Sequence, residues 1–161
     1  MRVGFGYDIH PFRADGEEGL RLGGVEVPGA PQLEGHSDGD SLIHAVIDAL
    51  LGAAGEGDIG QHFPPGDPTT AGIDSRELLT RVARLLASRQ IEVVNVDVTV
   101  IAERPRLAAH LPAMREALAS VLNLPTDAVN VKATTNEGLG AIGDGRAIAA
   151  MAVALLEEPV R

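Results

Sequence analysis

Residues 3–10 read VGFGYDIH, an alternation that fits an extended strand and little else. Successive side chains of a strand point to opposite faces, so Val3, Phe5, Tyr7 and Ile9 share one face while Gly4, Gly6, Asp8 and His10 share the other. The first face is wholly apolar. The second is cleared by two glycines and ends in a carboxylate and an imidazole. Taken alone, an Asp-x-His pair at a strand end is most simply a local hydrogen bond, and a metal reading needs a third ligand from elsewhere in the chain.

A helix further on offers that ligand. In HSDGDSLIHAVIDALLGAAG the apolar residues Ile43, Val46, Ile47, Leu50, Leu51 and Ala54 recur at helical spacing. Asp38 or Asp40 can cap its start, and Gly55 or Gly57 can end it. Asp40, His44 and Asp48 fall at successive i, i+4 positions on the face opposite the apolar stripe, where they can meet the Asp8/His10 strand end. Spacing leaves two readings open. A helix histidine flanked by carboxylates is often solvated or part of a cap. Asp8, His10 and His44 together are two imidazoles and one carboxylate, the donor set of an open catalytic Zn²⁺ site.

The other elements follow from the same periodicities. LRLGGVEVP predicts two short strands around Gly23-Gly24. Residues 55–70 carry four glycines and three prolines, which predicts a long, partly mobile functional loop without regular structure. DSRELLTRVARLLASR predicts a second helix, with Asp74 and Glu77 at N-cap and N3 spacing. IEVVNVDVTVIAE alternates as a long strand, a third helix is expected near residues 107–122, and AVNVKATT is a further strand; residues 146–156 fit helix or strand and are assigned as strand because the sheet is otherwise small. The expected fold is α+β, a mixed four- to five-stranded sheet with helices on one face, in a single domain spanning residues 1–161.

Composition narrows the chemistry. A net charge of −10 argues against a general affinity for nucleic acid or an anionic membrane surface. No run approaches the ~18 apolar residues of a spanning helix, and MRVGFGYDIH lacks the apolar core of a signal peptide, so a cytoplasmic protein is expected. The chain has no cysteine, which leaves His, Asp and Glu as metal ligands and favours Zn²⁺, Mg²⁺ or Mn²⁺. His36 and Ser37, at the start of the first helix, are either part of a cap or an anion site. KATTNEG is either an ordinary strand running into a turn, or a phosphate- or nucleotide-binding edge in which Lys132 supplies the cation, Thr134 and Thr135 the hydroxyls, and Glu137 a second, oxygen-preferring metal ligand.

Several segments, in order and spacing, resemble the 2-C-methyl-D-erythritol 2,4-cyclodiphosphate synthases of the non-mevalonate isoprenoid pathway: GYDIH, HSDGDSLIHAVIDALLGAAGEGDIG, FPPGDP, DSRELL, NVDVTVIAERPRL and VNVKATTNEGLG. The likeness runs from residue 1 to about residue 156. It implies a homotrimer with a sheet-lined centre and active sites shared between neighbouring subunits. It implies Asp8, His10 and His44 as Zn²⁺ ligands and Glu137 as ligand to Mg²⁺ or Mn²⁺. His36 and Ser37 correspond to positions beside the phosphate, and Asp58 and Gly60 to positions beside the methylerythritol part. Ala102, Arg106, Leu107, Ala133, Thr134 and Thr135 correspond to the cytidine and diphosphate pocket. The implied reaction is attack of a 2-phosphate on the β-phosphorus of a diphosphocytidyl substrate, with CMP leaving. Where many members carry an aromatic, an Arg and a Glu facing the trimer axis, this chain has Ala141, Asp144 and Arg146, and whether Arg146 pairs within its own subunit is left open.

Two other functions compete on residues alone. A Zn²⁺ hydrolase would use Asp40 or Asp48 as general base. A binding module with a structural metal would ordinarily need a fourth protein ligand, and three are evident.

Overall fold

The computed structural model describes residues 1–158. Its four-stranded mixed sheet runs in the order β1 (Arg2–Pro11), β6 (Ala147–Glu157), β4 (Glu92–Ile101), β5 (Val129–Thr134). The β1/β6 and β6/β4 pairs are antiparallel, and β4/β5 is parallel. A separate hairpin pairs β2 (Glu18–Leu22) with β3 (Val25–Pro31) through Gly23 and Gly24, whose φ of 60° and 74° is the left-handed geometry of a two-residue hairpin turn. The expected α+β arrangement is observed, with four strands in the main sheet.

Helix α1 (Ser41–Ala54) lies at the centre of the core, against β1, β6 and α3 (Ser75–Ser88). Every residue of α1 is buried except Asp48, which is half-buried, and Gly52. The solvated reading of the Asp40/His44/Asp48 face is therefore corrected for Asp40 and His44, which are buried; the helix meets solvent only at Asp48 and Gly52. Glycines make this possible. A Cβ on Gly4 would fall on the Ala49 carbonyl oxygen, and one on Gly6 would fall on the Ala45 carbonyl oxygen and 2.7 Å from the Ala49 nitrogen. No side chain can stand between strand and helix there.

Asp40 is the N-cap of α1, with its carboxylate accepting from the Ile43 N–H at 3.0 Å, and Gly55 in the left-handed conformation ends the helix. Asp74 caps α3 by accepting from the Arg76 N–H, but Glu77 does not reach back to it; Glu77 pairs with Arg81 one turn on. The loop over residues 55–70 contains a short helix, α2 (Ile59–His62), capped by Asp58, which corrects the expectation of an irregular segment. Helix α4 (Leu111–Leu122) starts four residues later than expected because a turn over residues 108–110 precedes it and proline stands in its first turn. Helix α5 (Gly140–Gly143) is one turn between β5 and β6. No helix among the described residues is long and apolar enough to cross a membrane.

The face of β1 turned away from α1 carries Val3, Phe5, Tyr7 and Ile9, between 39% and 68% exposed, and β6 adds Met151 and Val153 beside them. The alternation of VGFGYDIH is thus realised with the glycine face inward.

The strand–helix approach predicts opposite effects for two alanine substitutions. Gly6→Ala should cost about 3 kcal/mol or abolish folding, since only backbone surrounds the new methyl. Gly52→Ala, at an exposed helical position with open space around it, should stabilise by about 0.5–1 kcal/mol. Urea denaturation of both variants checks the contrast.

Candidate functional site

The C-terminal half of β1 delivers Asp8 and His10 to the glycine face, and the first turn of α1 delivers His44. Asp8 Oδ2 lies 2.8 Å from His10 Nε2 and 3.0 Å from His44 Nδ1, and the two ring nitrogens are 3.2 Å apart. The rings meet edge to face, with centroids 5.2 Å apart. Each residue offers one ligand atom, and the three atoms lie within 4.8 Å of one another. Three lone-pair donors converging on one point repel unless a proton or cation lies between them, so the donor set fits a divalent ion such as Zn²⁺.

Electrostatics at the trio is set by proximity. Burial raises the Asp8 carboxyl, but hydrogen bonds from His10 and His44, together with their charges, outweigh it and hold Asp8 well below the usual carboxylate range. Burial lowers the His10 imidazole, and its hydrogen bond to Asp8 and the Asp8 charge more than reverse this, so His10 lies above its ordinary value.

A cavity of about 300 Å³ opens beside the trio. Ile59, Gly60, Phe63 and Pro65 form its apolar wall, and His36 and Ser37 its polar rim. His36 is exposed, with Nε2 2.9 Å from the Asp67 carbonyl oxygen and 3.2 Å from Thr70 Oγ1. Ser37 Oγ is 3.0 Å from His44 Nε2. Asp58 spends its carboxylate on the Gln61 N–H at 2.9 Å and the Gln61 side-chain amide at 2.8 Å, which positions α2 and with it Gly60.

The three supporting candidates each have partners within the chain. Asp40 is fully buried, and besides capping α1 it accepts from the Gly23 N–H at 2.8 Å and the Gly24 N–H at 2.7 Å. Its oxygens accept from three backbone donors, so it joins the hairpin turn to α1. Asp48 accepts from the Ile59 N–H at 2.8 Å and anchors α2. Burial raises its carboxyl, and the Ile59 N–H only partly offsets this. Lys132 pairs with Asp97 on the neighbouring strand, and Asn130 donates to the same carboxylate at 2.8 Å.

The remaining candidates gather at the opposite edge of the sheet. Ala102 and Leu107 are buried, Arg106 is exposed, and the Ala102 N–H donates to the Thr134 carbonyl at 3.0 Å, which ties the strand that ends in Ala133 and Thr134 to the 102–107 segment. Thr135 Oγ1 donates to Glu137 Oε1 at 3.0 Å, and Glu137 itself has a φ of 52°. Glu103 was not singled out in the sequence. Its Oε1 accepts the Asn136 and Gly138 N–H groups, each at 3.0 Å, and so clamps the turn that carries Glu137. Arg146 pairs with Asp144 of its own chain at 2.9 Å, and the Ala141 carbonyl accepts the Arg146 N–H at 2.9 Å. Ser75 is the other residue that spacing did not reveal, and Asp38, a candidate cap of α1 by spacing, is its partner instead. Ser75 Oγ lies 3.0 Å from His44 Nε2 and donates to Asp38 Oδ1 at 2.5 Å.

The model of the YgbB family matches residues 1–157. A 2-C-methyl-D-erythritol 2,4-cyclodiphosphate synthase of Gloeobacter violaceus is 56% identical over 158 residues, covering 98% of this chain and 96% of that protein. Among solved structures, the CDP complex of IspF from Plasmodium falciparum superposes with a TM-score of 0.84 at 34% identity, covering 98% of this chain and 96% of the other. The bifunctional IspDF of Campylobacter jejuni superposes with a TM-score of 0.92 at 38% identity, covering 98% of this chain and 42% of that longer one.

The site geometry predicts a pH signature. A histidine whose folded pKa is raised stabilises fully below its unfolded value, about 6.5, and the contribution is lost as pH rises through the folded value. In a chelator, the stability advantage of the native chain over His10→Asn should therefore shrink as pH rises above about 6.5. With saturating Zn²⁺ it should grow in the same direction, because metal binding requires the neutral imidazole. Thermal denaturation in both conditions checks it, and slopes of the same sign would contradict it.

Proposed function

Because the chain belongs to the YgbB family, we propose that it forms 2-C-methyl-D-erythritol 2,4-cyclodiphosphate, the product for which its 56%-identical relative is named. It acts on 4-diphosphocytidyl-2-C-methyl-D-erythritol 2-phosphate as a cytoplasmic lyase. An oxygen of the 2-phosphate bonds to the β-phosphorus, the β-phosphorus–oxygen bond to the α-phosphate breaks, and the electron pair leaves with CMP. The observation that carries this reading is the convergence of Asp8, His10 and His44 beside a cavity of substrate-fragment size.

Intramolecular phosphoryl transfer asks a protein for positioning and charge neutralisation more than for covalent chemistry. Asp8, His10 and His44 would hold Zn²⁺, and Glu137 would hold Mg²⁺ or Mn²⁺. When bound, these ions neutralise phosphate charge and polarise the phosphorus–oxygen bonds. His36 and Ser37 orient the phosphate at the rim, while Asp58 and Gly60 bound the methylerythritol end. Ala102, Arg106, Leu107 and residues 133–135 receive the cytidine and the diphosphate. The commitment of Asp40 and Asp48 to backbone N–H groups weighs against a hydrolase, which would need one of them as a free base.

The chain acts as one domain within a homotrimer. The uncovered apolar face of Val3, Phe5, Tyr7, Ile9, Met151 and Val153 supports this, since patches of that kind mark protein interfaces. Asp8 and His10 stand on the edge strand β1, Ala133 and Thr134 on the opposite edge strand β5, three strand spacings or roughly 14 Å apart, and residues 102–107 follow β4 beside β5. That division supports a site in which one copy lends the metal end and its neighbour the cytidine pocket.

Incubation with the diphosphocytidyl substrate should give ³¹P NMR signals of two coupled phosphates in a ring, together with CMP. A linear hydrolysis product would overturn the reading. His44→Ala should lose Zn²⁺ and turnover with the fold retained, and near-native zinc content in that variant would contradict the ligand set. Glu137→Gln should raise the Mg²⁺ or Mn²⁺ requirement while zinc content stays unchanged, and equal loss of both metals would contradict two separable sites.

A further inference from the structure

Only one edge of the His44 ring faces Asp8 and His10. The other edge, at Nε2, points into a buried polar contact with Ser75 Oγ and Ser37 Oγ, each at 3.0 Å. Ser75 is fully buried and is the first residue of α3. Its hydroxyl lies 2.5 Å from Asp38 Oδ1, and its backbone N–H donates to Asp38 Oδ2 at 3.1 Å. Asp38 is itself held on two sides, since its Oδ1 accepts the Asp40 N–H at 3.2 Å and its own N–H donates to the Ile73 carbonyl at 3.1 Å.

Counting hydrogens gives this chain a direction. An ionised carboxylate only accepts, so the single hydroxyl proton of Ser75 is spent on Asp38, and the Ser75 lone pairs are left facing His44 Nε2 at 3.0 Å and the Ser37 hydroxyl at 3.3 Å. A lone pair there is satisfied by an N–H and opposed by a bare ring nitrogen. A neutral imidazole has one N–H. Placed on Nε2, it leaves the Nδ1 lone pair directed at the point shared with Asp8 and His10.

We propose that Asp38 and Ser75 are positioning residues for the metal centre: the relay from His44 Nε2–H through the Ser75 hydroxyl to the Asp38 carboxylate fixes the ring orientation and the tautomer that present Nδ1 to a divalent cation. The inference rests on the reading of Asp8, His10 and His44 as metal ligands. Ser37 Oγ, 3.0 Å from the same Nε2 and 3.3 Å from Ser75 Oγ, faces this contact from the cavity rim. Partners that orient a ligating histidine from behind are worth about 10- to 100-fold in metal affinity.

The test uses the full chain stripped of metal and titrated with Zn²⁺ against a chromophoric chelator, then with Co²⁺ followed by its visible absorption. Ser75→Ala should bind Zn²⁺ about 10- to 100-fold more weakly than the native chain, still reach one ion per chain at saturation, and shift the Co²⁺ bands. Asp38→Asn should weaken binding in the same direction, and it decides the matter should Ser75→Ala fail to fold. Native affinity and a native Co²⁺ spectrum in the folded Ser75→Ala variant, or in Asp38→Asn when that variant decides, would overturn the relay and leave the metal reading intact. A native chain that takes up no stoichiometric ion would instead overturn the metal reading, and the relay with it.

Discussion

The contact on which the rest of the structure depends is the one between β1 and α1 with no side chain between them. Gly4 lies against Ala49 and Ala53, and Gly6 against Ala45 and Ala49, so strand and helix run in opposite directions. Two residues advance about 6.8 Å along a strand and four advance about 6 Å along a helix, so the registers nearly match. One further step along β1 reaches Asp8, and one further step back along α1 reaches the turn that carries His44. The meeting of His44 with Asp8 and His10 is therefore a consequence of how the glycines seat the helix. Side chains at positions 4 and 6 would lift α1 away and separate the ligand atoms along with it.

An acidic chain that handles phosphates must keep its carboxylates out of the way, and the start of α1 shows how this is done. Asp40 spends its oxygens on the N–H groups of Gly23, Gly24 and Ile43, and Asp38 spends its own on the N–H groups of Asp40 and Ser75 and on the Ser75 hydroxyl. Both charges are absorbed by donors at helix starts and a turn, where the backbone already favours an anion. The same bonds tie the hairpin, α1 and α3 together at the back of the metal trio. Stability and site geometry thus draw on one set of interactions, so weakening a cap here also loosens a ligand.

Much of this was legible in the sequence because it is periodic or local. The face alternation of β1 and the extent and caps of α1 follow from side-chain spacing, and the ligand trio follows from combining them; β6, whose small apolar residues fit helix or strand alike, is a strand because the sheet would otherwise be small. Elements and residues fixed by contacts across long stretches of chain were not legible. Ser75 stands 31 residues from His44, and nothing about a serine at the start of a helix points to an imidazole so far away. The pairing of Lys132 with Asp97 was not legible either, because it is set by the parallel β4/β5 register, which spacing within one strand does not reveal. Asp40 and Asp48 looked like a polar face because i, i+4 spacing says which residues share a side of a helix and not whether that side meets solvent. In an enclosed helix the polar positions are the ones that must find backbone partners, and both did.

The two faces of β1 link assembly to chemistry. Asp8 and His10 alternate with Tyr7 and Ile9 on one short length of backbone, so whatever covers the apolar face also restrains the ligand face. In the isolated chain, β1 is an edge strand held by β6 alone, with α1 behind it and four apolar side chains exposed in front. In the proposed trimer, neighbouring copies would bury that front face and clamp the strand from both sides. The gain in rigidity would be delivered at the ligand atoms themselves, because a strand transmits displacement from one face to the other through a backbone that has no slack. On this view the apolar alternation at positions 3, 5, 7 and 9 serves the metal centre as directly as the glycines do, by making association of the chain a condition for holding Asp8 and His10 still.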